Sequence, residues 1–203
     1  MYKQWYLERG TTLSEEDMTR EEVLSLLFAH HIPTETWGTG KAKTLEHLFN
    51  EVESGEASLL EVDGVLTRRA EGAIVSVFYR NDPHVFFLYE DRQVFTDGRT
   101  RTRDLDTSVG EKLSPNENPL SGAWRALVEE LGFSYEETVR LVFVSEKQRV
   151  KGPVPSDSYP GLQTLYIMYP FTVFLPKHLF KPEGYMEKQT DKATYFEWKK
   201  VTS

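Results

Sequence analysis

The chain has 203 residues, 39% of them hydrophobic, and a formal net charge of -8 at pH 7. This length can bury one core, or one domain with a small appendage. The acidic balance excludes a general nucleic-acid binder, because such proteins draw most of their affinity from Lys and Arg at phosphates. The absence of cysteine excludes disulfides, thiol catalysis and a structural cysteine zinc site.

No stretch of the sequence approaches the roughly 18 to 20 apolar residues that a membrane span needs. The first ten residues lack the apolar run and small residues of a secretory signal. We therefore expect a cytoplasmic protein with no membrane partner.

Residues 1–56 have a polar, helical pattern. Residues 14–17 can cap a helix, apolar residues between positions 23 and 28 follow helical spacing, and Pro33 ends the helix. A second helix is predicted from about Thr44 to Ser54. We expect a small helical N-terminal extension, either packed on the rest of the chain or forming a homodimer contact.

Strand patterns begin at residue 57. Asp63-Gly64 is a two-residue hairpin signal, and Asp97-Gly98 suggests a second hairpin. Surface loops are expected over residues 104–119 and 151–161, and a helix from Leu120 to Leu131. The remaining predicted strands cover residues 73–79, 85–89, 139–144, 164–175 and 194–199. Strands with few helices are typical of an α+β or α/β sandwich.

The predicted helix carries an unusual pair of acids. Its apolar side is expected to hold Trp124, Leu127, Val128 and Leu131, whereas Ala126, Glu129 and Glu130 share another side. Adjacent glutamates repel each other unless something compensates their charge. Mg²⁺ prefers such oxygen ligands, usually one or two carboxylates with substrate phosphates and water. For the pair alone, a solvated charged face is the simpler alternative.

The segment from Gly110 to Phe133 gives the pair a context. It reads GEKLSPNENPLSGAWRALVEELGF and resembles the Nudix box, G-x5-E-x7-R-E-U-x-E-E-x-G-U, in which U is aliphatic. Glu117 precedes Arg125 by the required seven intervening residues, and Leu127, Glu129, Glu130 and Gly132 follow in register. The resemblance covers residues 70–200 and leaves residues 1–56 unexplained.

The resemblance implies a fold and an activity. The fold is an α/β class, Nudix-like α/β/α sandwich with a mixed sheet, over residues 57–203 and with its box at 110–133. The activity is hydrolysis of a pyrophosphate bond in a nucleoside diphosphate linked to another group, so the partner is a small nucleotide-like substrate. In that scheme Glu129 and Glu130 hold Mg²⁺ or Mn²⁺, and Arg125 orients the glutamates. Glu117 supports the loop or an outer metal.

The chain departs from the pattern at two positions. Gly110 lies seven residues before Glu117 rather than six, and the first glutamate of R-E-U-x-E-E is Ala126. In the family that glutamate commonly ligates metal or acts as general base, and alanine can do neither. Glu187 is our candidate for the replacement catalytic carboxylate, with two further candidates, Glu146 and Glu183.

Ala126 also favours a second hypothesis. A catalytically weakened Nudix fold would bind a nucleotide or a protein partner without turnover.

Three arginines precede the box at alternate positions, Arg99, Arg101 and Arg103. On a strand they would share one face. They are the predicted substrate-binding residues, meeting phosphates as a basic strip. An exposed edge strand, where charge prevents aggregation, is the alternative.

Overall fold

A computed structural model describes the backbone of residues 10–12 and all of residues 18–201. The cap predicted at residues 14–17 lies outside the described residues. The helices are α1 (Arg20–Ala29), α2 (Leu45–Glu53), α3 (Pro119–Leu131) and α4 (Tyr135–Thr138), with a 3-10 turn at Thr34–Thr36. The strands are β1 (Gly10–Thr12), β2 (Ala57–Val62), β3 (Val65–Asn81), β4 (His84–Phe95), β5 (Thr100–Arg101), β6 (Val109–Lys112), β7 (Phe143–Ser145), β8 (Arg149–Pro155), β9 (Gln163–Leu175), β10 (Tyr185–Lys188) and β11 (Lys192–Lys200).

Sheet strands alternate with a few helices along the chain, which confirms the predicted α/β fold class. Among the helices of residues 18–201, none is long and apolar enough to cross a membrane.

The chain divides into two compact units. The first unit contains residues up to 71 together with 112–116 and 149–168, and the second contains 72–111, 117–148 and the residues from 169 onward. Strands β3 and β9 therefore contribute residues to both units. The domain boundary predicted after residue 56 stays a prediction.

In the first unit, both helices begin with a reciprocal cap. The Thr19 hydroxyl accepts a hydrogen bond from the backbone of Glu22, whose carboxylate accepts one in return, and Thr44 and His47 repeat the arrangement. Both helices share one apolar core with β2, β3 and the segment before β9. Its buried members are Val23, Leu27, Trp37, Leu48, Phe49, Leu59, Leu66, Tyr159 and Leu162.

The β2–β3 hairpin turns at the predicted position. Val62 pairs with Val65 across the turn, and Asp63 and Gly64 have φ of 50° and 79°. Positive φ at both central residues is the requirement of a type I′ turn. Beyond the turn, β3 runs without interruption to Asn81, so the strand expected directly after the hairpin turn, at 65–69, and the strand expected at 73–79 form a single one.

In the second unit, strands β3, β4, β11 and β10 lie side by side in that order. The pairings of β3 with β4, β4 with β11 and β11 with β10 are all antiparallel. A register shift at Tyr195 and Phe196 places a bulge in the β4–β11 pair beside Glu90. Bulges of this kind redirect side chains and are frequent beside functional sites.

Three predicted segments were wrong in part. The expected loop at 104–119 contains β6, which pairs with β3. Directly before β6, the Ser108 N–H donates a hydrogen bond to the Val75 carbonyl. The strand expected at 139–144 forms only at its end, where β7 begins at Phe143, because residues 139–142 form the cap and the turn that follow α4. The expected loop at 151–161 begins with β8, whose pairing with β9 is a tertiary interaction without a local sequence signal.

Candidate active site

Helix α3 carries the box and begins and ends as its sequence requires. The Asn118 side chain accepts a hydrogen bond from the Leu120 N–H at 2.9 Å, and Pro119 occupies the first turn. Gly132 ends the helix with φ of 70°, a conformation in which any other residue is strained. The predicted helix is confirmed with a start one residue earlier.

The buried face of α3 differs from the predicted one. Gly122, Ala123, Ala126, Leu127 and Leu131 are buried. Ala126 therefore lies on the buried stripe rather than on an exposed acidic side, because it follows Gly122 and Ala123 at helical spacings of four and three.

Glu130 is the desolvated acid of the helix. Its carboxyl accepts a hydrogen bond from the Gly110 N–H at 2.9 Å, which joins the end of α3 to β6. Burial raises the pKa of Glu130 to about 8, and the charges of Glu187 and Glu111 add to this effect. The Gly110 hydrogen bond and Arg103 act in the opposite direction. Two negative charges therefore act on one partly buried carboxyl group.

Arg125 contacts three carboxylates. Its Nη2 lies 3.0 Å from Glu117, and its Nη1 lies 3.1 Å from Glu111 and 3.8 Å from Glu129. The predicted i,i+4 contact with Glu129 is the longest of the three. Arg125 therefore holds the loop residue Glu117 and the β6 residue Glu111 against α3.

Glu129 and Glu130 are not equivalent. The Glu129 side chain is 51% exposed, whereas the Glu130 carboxyl is partly buried, and this burial is the main cause of its raised pKa. Among residues 18–201, no three acidic or histidine side chains form a cluster that could enclose a metal ion. The carboxylate oxygens of Glu129 and Glu130 are nonetheless suitable donors for Mg²⁺, since this ion usually takes only one or two carboxylates plus phosphates and water. The crowded charge at Glu130 is the feature that a cation would relieve.

The three candidate replacement carboxylates lie in different surroundings. Glu187, on β10, acts electrostatically on both Glu130 and Arg103. Glu146 follows β7 and accepts a hydrogen bond from the Thr172 hydroxyl at 2.8 Å. Glu183 is exposed.

The three predicted substrate-binding arginines do not continue along one strand, because β5 ends at Arg101. Arg99 is 70% exposed and pairs with Asp97 at 2.7 Å, and Arg101 is exposed. Arg103 turns to β4 and binds the carboxylate of Glu90 with two nitrogens. Its charge acts on Glu130 and Glu187.

Sequence reasoning missed two acids of this region, Glu90 and Glu111. Glu90 is 4% exposed and lies in the middle of β4, where no local pattern distinguishes it from other strand residues. Glu111 did have a signal. It stands six residues before Glu117, in the register where the box has its glycine.

Comparisons with known proteins give similarities in structure only. No family model matches the sequence. No curated protein matches it either.

Several solved structures resemble part of the chain. A protein described as a NUDIX hydrolase from Listeria monocytogenes is 18% identical with a TM-score of 0.41, over 64% of this chain and 76% of that one. The E. coli dihydroneopterin triphosphate pyrophosphohydrolase is 13% identical with a TM-score of 0.38, over 63% and 78%. A C. elegans Ap4A hydrolase is 12% identical with a TM-score of 0.35, over 63% and 77%. At these values the similarity extends neither to activity nor to substrate.

Proposed function

We propose that this chain is a Nudix-type hydrolase that cleaves a pyrophosphate bond in a nucleoside diphosphate linked to a second group. The main support is the position of Glu130, a partly buried carboxyl on the box helix that accepts a hydrogen bond from the Gly110 N–H at 2.9 Å and on which the charges of Glu111 and Glu187 act. Burying a carboxyl group among like charges is unfavourable unless a cation or a proton compensates it. A carboxyl group that only kept the helix surface soluble would not need this unfavourable position, so we infer that Glu130 binds a cation.

The compensating cation would be Mg²⁺ or Mn²⁺, held by Glu130 and Glu129. Bound there, it would supply positive charge for the pyrophosphate oxygens and for an attacking water. Glu187 is the proposed general base, because its charge already acts on Glu130 from β10. A general base contributes about 10²- to 10⁴-fold in rate, so the site needs such a group after the loss of the acid at position 126.

Arg125 and Glu117 act by positioning. Arg125 links the loop through Glu117 and β6 through Glu111. It thereby fixes the loop that enters α3. Positioning of this kind supplies rate by holding groups in the reactive geometry before the substrate arrives.

The three arginines contribute to the binding of the substrate phosphates in different ways. Arg103 lies near Glu130 and Glu187, on which its charge acts. Arg99 and Arg101 are exposed, and they attract the anionic substrate from solvent at longer range.

A second candidate is a nucleotide-binding or protein-interaction module with little or no turnover. Ala126 is the observation in its favour, because its buried methyl group provides no oxygen to a metal. A cytoplasmic location and a homodimer remain predictions.

The deciding experiment measures hydrolysis of a panel of nucleoside diphosphate derivatives with Mg²⁺ or Mn²⁺. Glu130→Gln is the test variant, and Glu136→Gln is its matched control, since Glu136 is exposed on α4. Turnover that disappears in Glu130→Gln and persists in Glu136→Gln supports the hydrolase. No turnover across the panel, together with measurable nucleotide binding, would establish the binding module instead.

A further inference from the structure

A polar cavity lies beside α2, within the first unit. Its volume is about 310 Å³, which is near the lower limit for sites that bind small molecules. The side chains that line it include two lysines and several other polar residues, Lys43, His47, Asn50, Glu51, Glu56 and Lys112. We propose that this cavity binds a small oxyanion, either phosphate or a carboxylate, a function that does not depend on the proposed hydrolysis.

Two ammonium groups converge on one carboxylate oxygen in this cavity. Lys43 Nζ lies 2.7 Å and Lys112 Nζ 2.8 Å from the same oxygen of Glu51, Oε1. The second oxygen, Oε2, binds the buried side chain of Arg68 at 2.6 Å. Cations held this close together repel each other. A second anion bound by the ammonium groups would offset that repulsion.

The cations of this cluster outnumber its carboxylates. Three positive charges meet at Glu51, those of the two lysines and the arginine. The negative charges are two, those of Glu51 and of Glu56, which binds Lys112 at 2.9 Å. One positive charge is therefore in excess, although the whole chain has a net charge of -8. This excess favours an anion over a cation as the ligand.

Lys43 has donors for a ligand as well as for Glu51. An ammonium group has three donors, and the contact with Glu51 uses one of them. The Lys43 side chain is 39% exposed, so an ion from solvent can reach it. Because the buried carboxylate of Glu51 already holds this ammonium group in place, little conformational freedom is lost when a ligand binds.

His47 adds a donor whose identity is fixed by the helix cap. The Thr44 N–H donates a hydrogen bond to Nδ1 of His47 at 3.2 Å, as part of the cap of α2. Because Nδ1 is the acceptor, the neutral ring carries its hydrogen on Nε2, which is then a donor. Asn50 follows three residues later and also lines the cavity. The cavity is therefore lined by N–H donors, the groups that bind oxyanions.

The test follows the imidazole signals of His47 by proton NMR while inorganic phosphate or malonate is added to the full chain. The pH and the ionic strength stay constant, with chloride as the balancing anion. His47→Gln identifies the signals and keeps the cap, because glutamine serves at this position of a capping box. We expect the His47 signals to shift and saturate with at least one probe, whereas those of His84, exposed on β4, stay in place.

Lys43→Met is the first test variant, and Lys41→Met is its matched control, because Lys41 is exposed. Lys43→Met should weaken binding of the probe by about 10-fold or more, the usual contribution of a hydrogen bond from a charged donor. Lys41→Met should bind the probe like the wild type. Asn50→Asp is the second test variant. It keeps every cation of the cluster and places a negative charge at the cavity, so it should also weaken binding.

The two probes separate the two kinds of oxyanion. Saturation with phosphate alone would support a phosphorylated ligand, and saturation with malonate alone would support a carboxylic acid. Shifts that grow linearly with concentration for both probes would overturn the inference, and so would wild-type affinity in a folded Lys43→Met or Asn50→Asp. The experiment involves neither a metal ion nor hydrolysis, so its failure would leave the proposed hydrolase function unaffected.

Discussion

The Gly110 N–H donates a hydrogen bond to the Glu130 carboxyl at 2.9 Å, across 20 residues of sequence. This contact joins β6 to the end of α3 and fixes an acid whose ionised form is disfavoured by burial. A protonated Glu130 and a metal-bound Glu130 are two ways to relieve the same unfavourable charge. The stability of the metal-free protein should therefore depend on pH through this residue.

Glu130→Gln should stabilise the metal-free protein in alkaline solution. The pKa of Glu130 is raised from 4.5 to about 8 by burial. Below pH 4.5 the group is protonated in both the folded and the unfolded state, so it has no effect. Between pH 4.5 and 8 the unfolded state loses the proton first, so the free energy of unfolding falls as pH rises. Above pH 8 the group is ionised in both states, and the folded protein is destabilised by the full free-energy cost of the partly buried charge.

The measurement is thermal unfolding of wild type and Glu130→Gln at pH 5 and pH 9, without metal. Each pKa unit corresponds to about 1.4 kcal/mol, so a gap of a few kcal/mol should open in favour of the variant at pH 9 and vanish at pH 5. Glutamine keeps an oxygen that accepts from Gly110. Equal pH dependence in the two proteins would contradict the raised pKa.

Arg125→Lys should slow turnover by about 10- to 100-fold, the range typical for partners that orient metal ligands. Lysine keeps the positive charge but lacks the planar fork with which arginine contacts Glu117 and Glu111 at once. The half-saturating Mg²⁺ concentration should rise together with the loss of rate. Arg140→Lys, an exposed substitution after α4, is the control. Unchanged metal dependence would show that Arg125 does not position the acids.

Arg103→Met should destabilise the protein by about 3 kcal/mol, because it leaves the carboxylate of Glu90 buried without its cation. Glu90 is 4% exposed, and Arg103 binds it through two nitrogens. Adding Glu90→Gln should recover part of the loss, and urea denaturation of the four proteins of the cycle gives the coupling energy. Additive effects of the two substitutions would indicate that the pair is not coupled.

Local chemistry made part of this structure predictable. Asp63 and Gly64 favour positive φ and fix a hairpin, while Asn118, Pro119 and Gly132 set the ends of α3. These signals involve residues adjacent in sequence, so they do not depend on the rest of the fold. The box helix and its acids could therefore be located without coordinates.

The partners of those acids depend on tertiary structure. The alternation of Arg99, Arg101 and Arg103 suggested one strand face, but β5 pairs with β4 over only two residues and Arg103 turns to Glu90. The contacts of Glu111 with Arg125 and of Gly110 with Glu130 require β6, which was expected to be a loop. Pairing between distant strands has no short-range signal that a single sequence displays.

The first unit has its own buried charge cluster, centred on Glu51. Its carboxylate, 5% exposed, binds Arg68 at 2.6 Å, Lys43 at 2.7 Å and Lys112 at 2.8 Å. Burial alone would raise the pKa of Glu51, but the three cations outweigh it, Arg68 most of all, and lower the pKa to about 2. Because Arg68 is also 5% exposed, Glu51→Gln leaves a buried cation without its partner and should cost about 3 kcal/mol at pH 7.

The pH dependence of this cost gives the test. Glu51 has a lower pKa in the folded than in the unfolded protein, so its contribution to stability is complete above pH 4.5 and is lost as pH falls toward 2. Wild type should therefore lose stability over that range, whereas Glu51→Gln should lose less. Glu46→Gln is the control, because Glu46 pairs with Arg20 at an exposed position, where an ion pair contributes less than about 1 kcal/mol. If chemical denaturation at pH 7, 4 and 2.5 gives the two variants the same profile, the buried cluster does not stabilise the first unit.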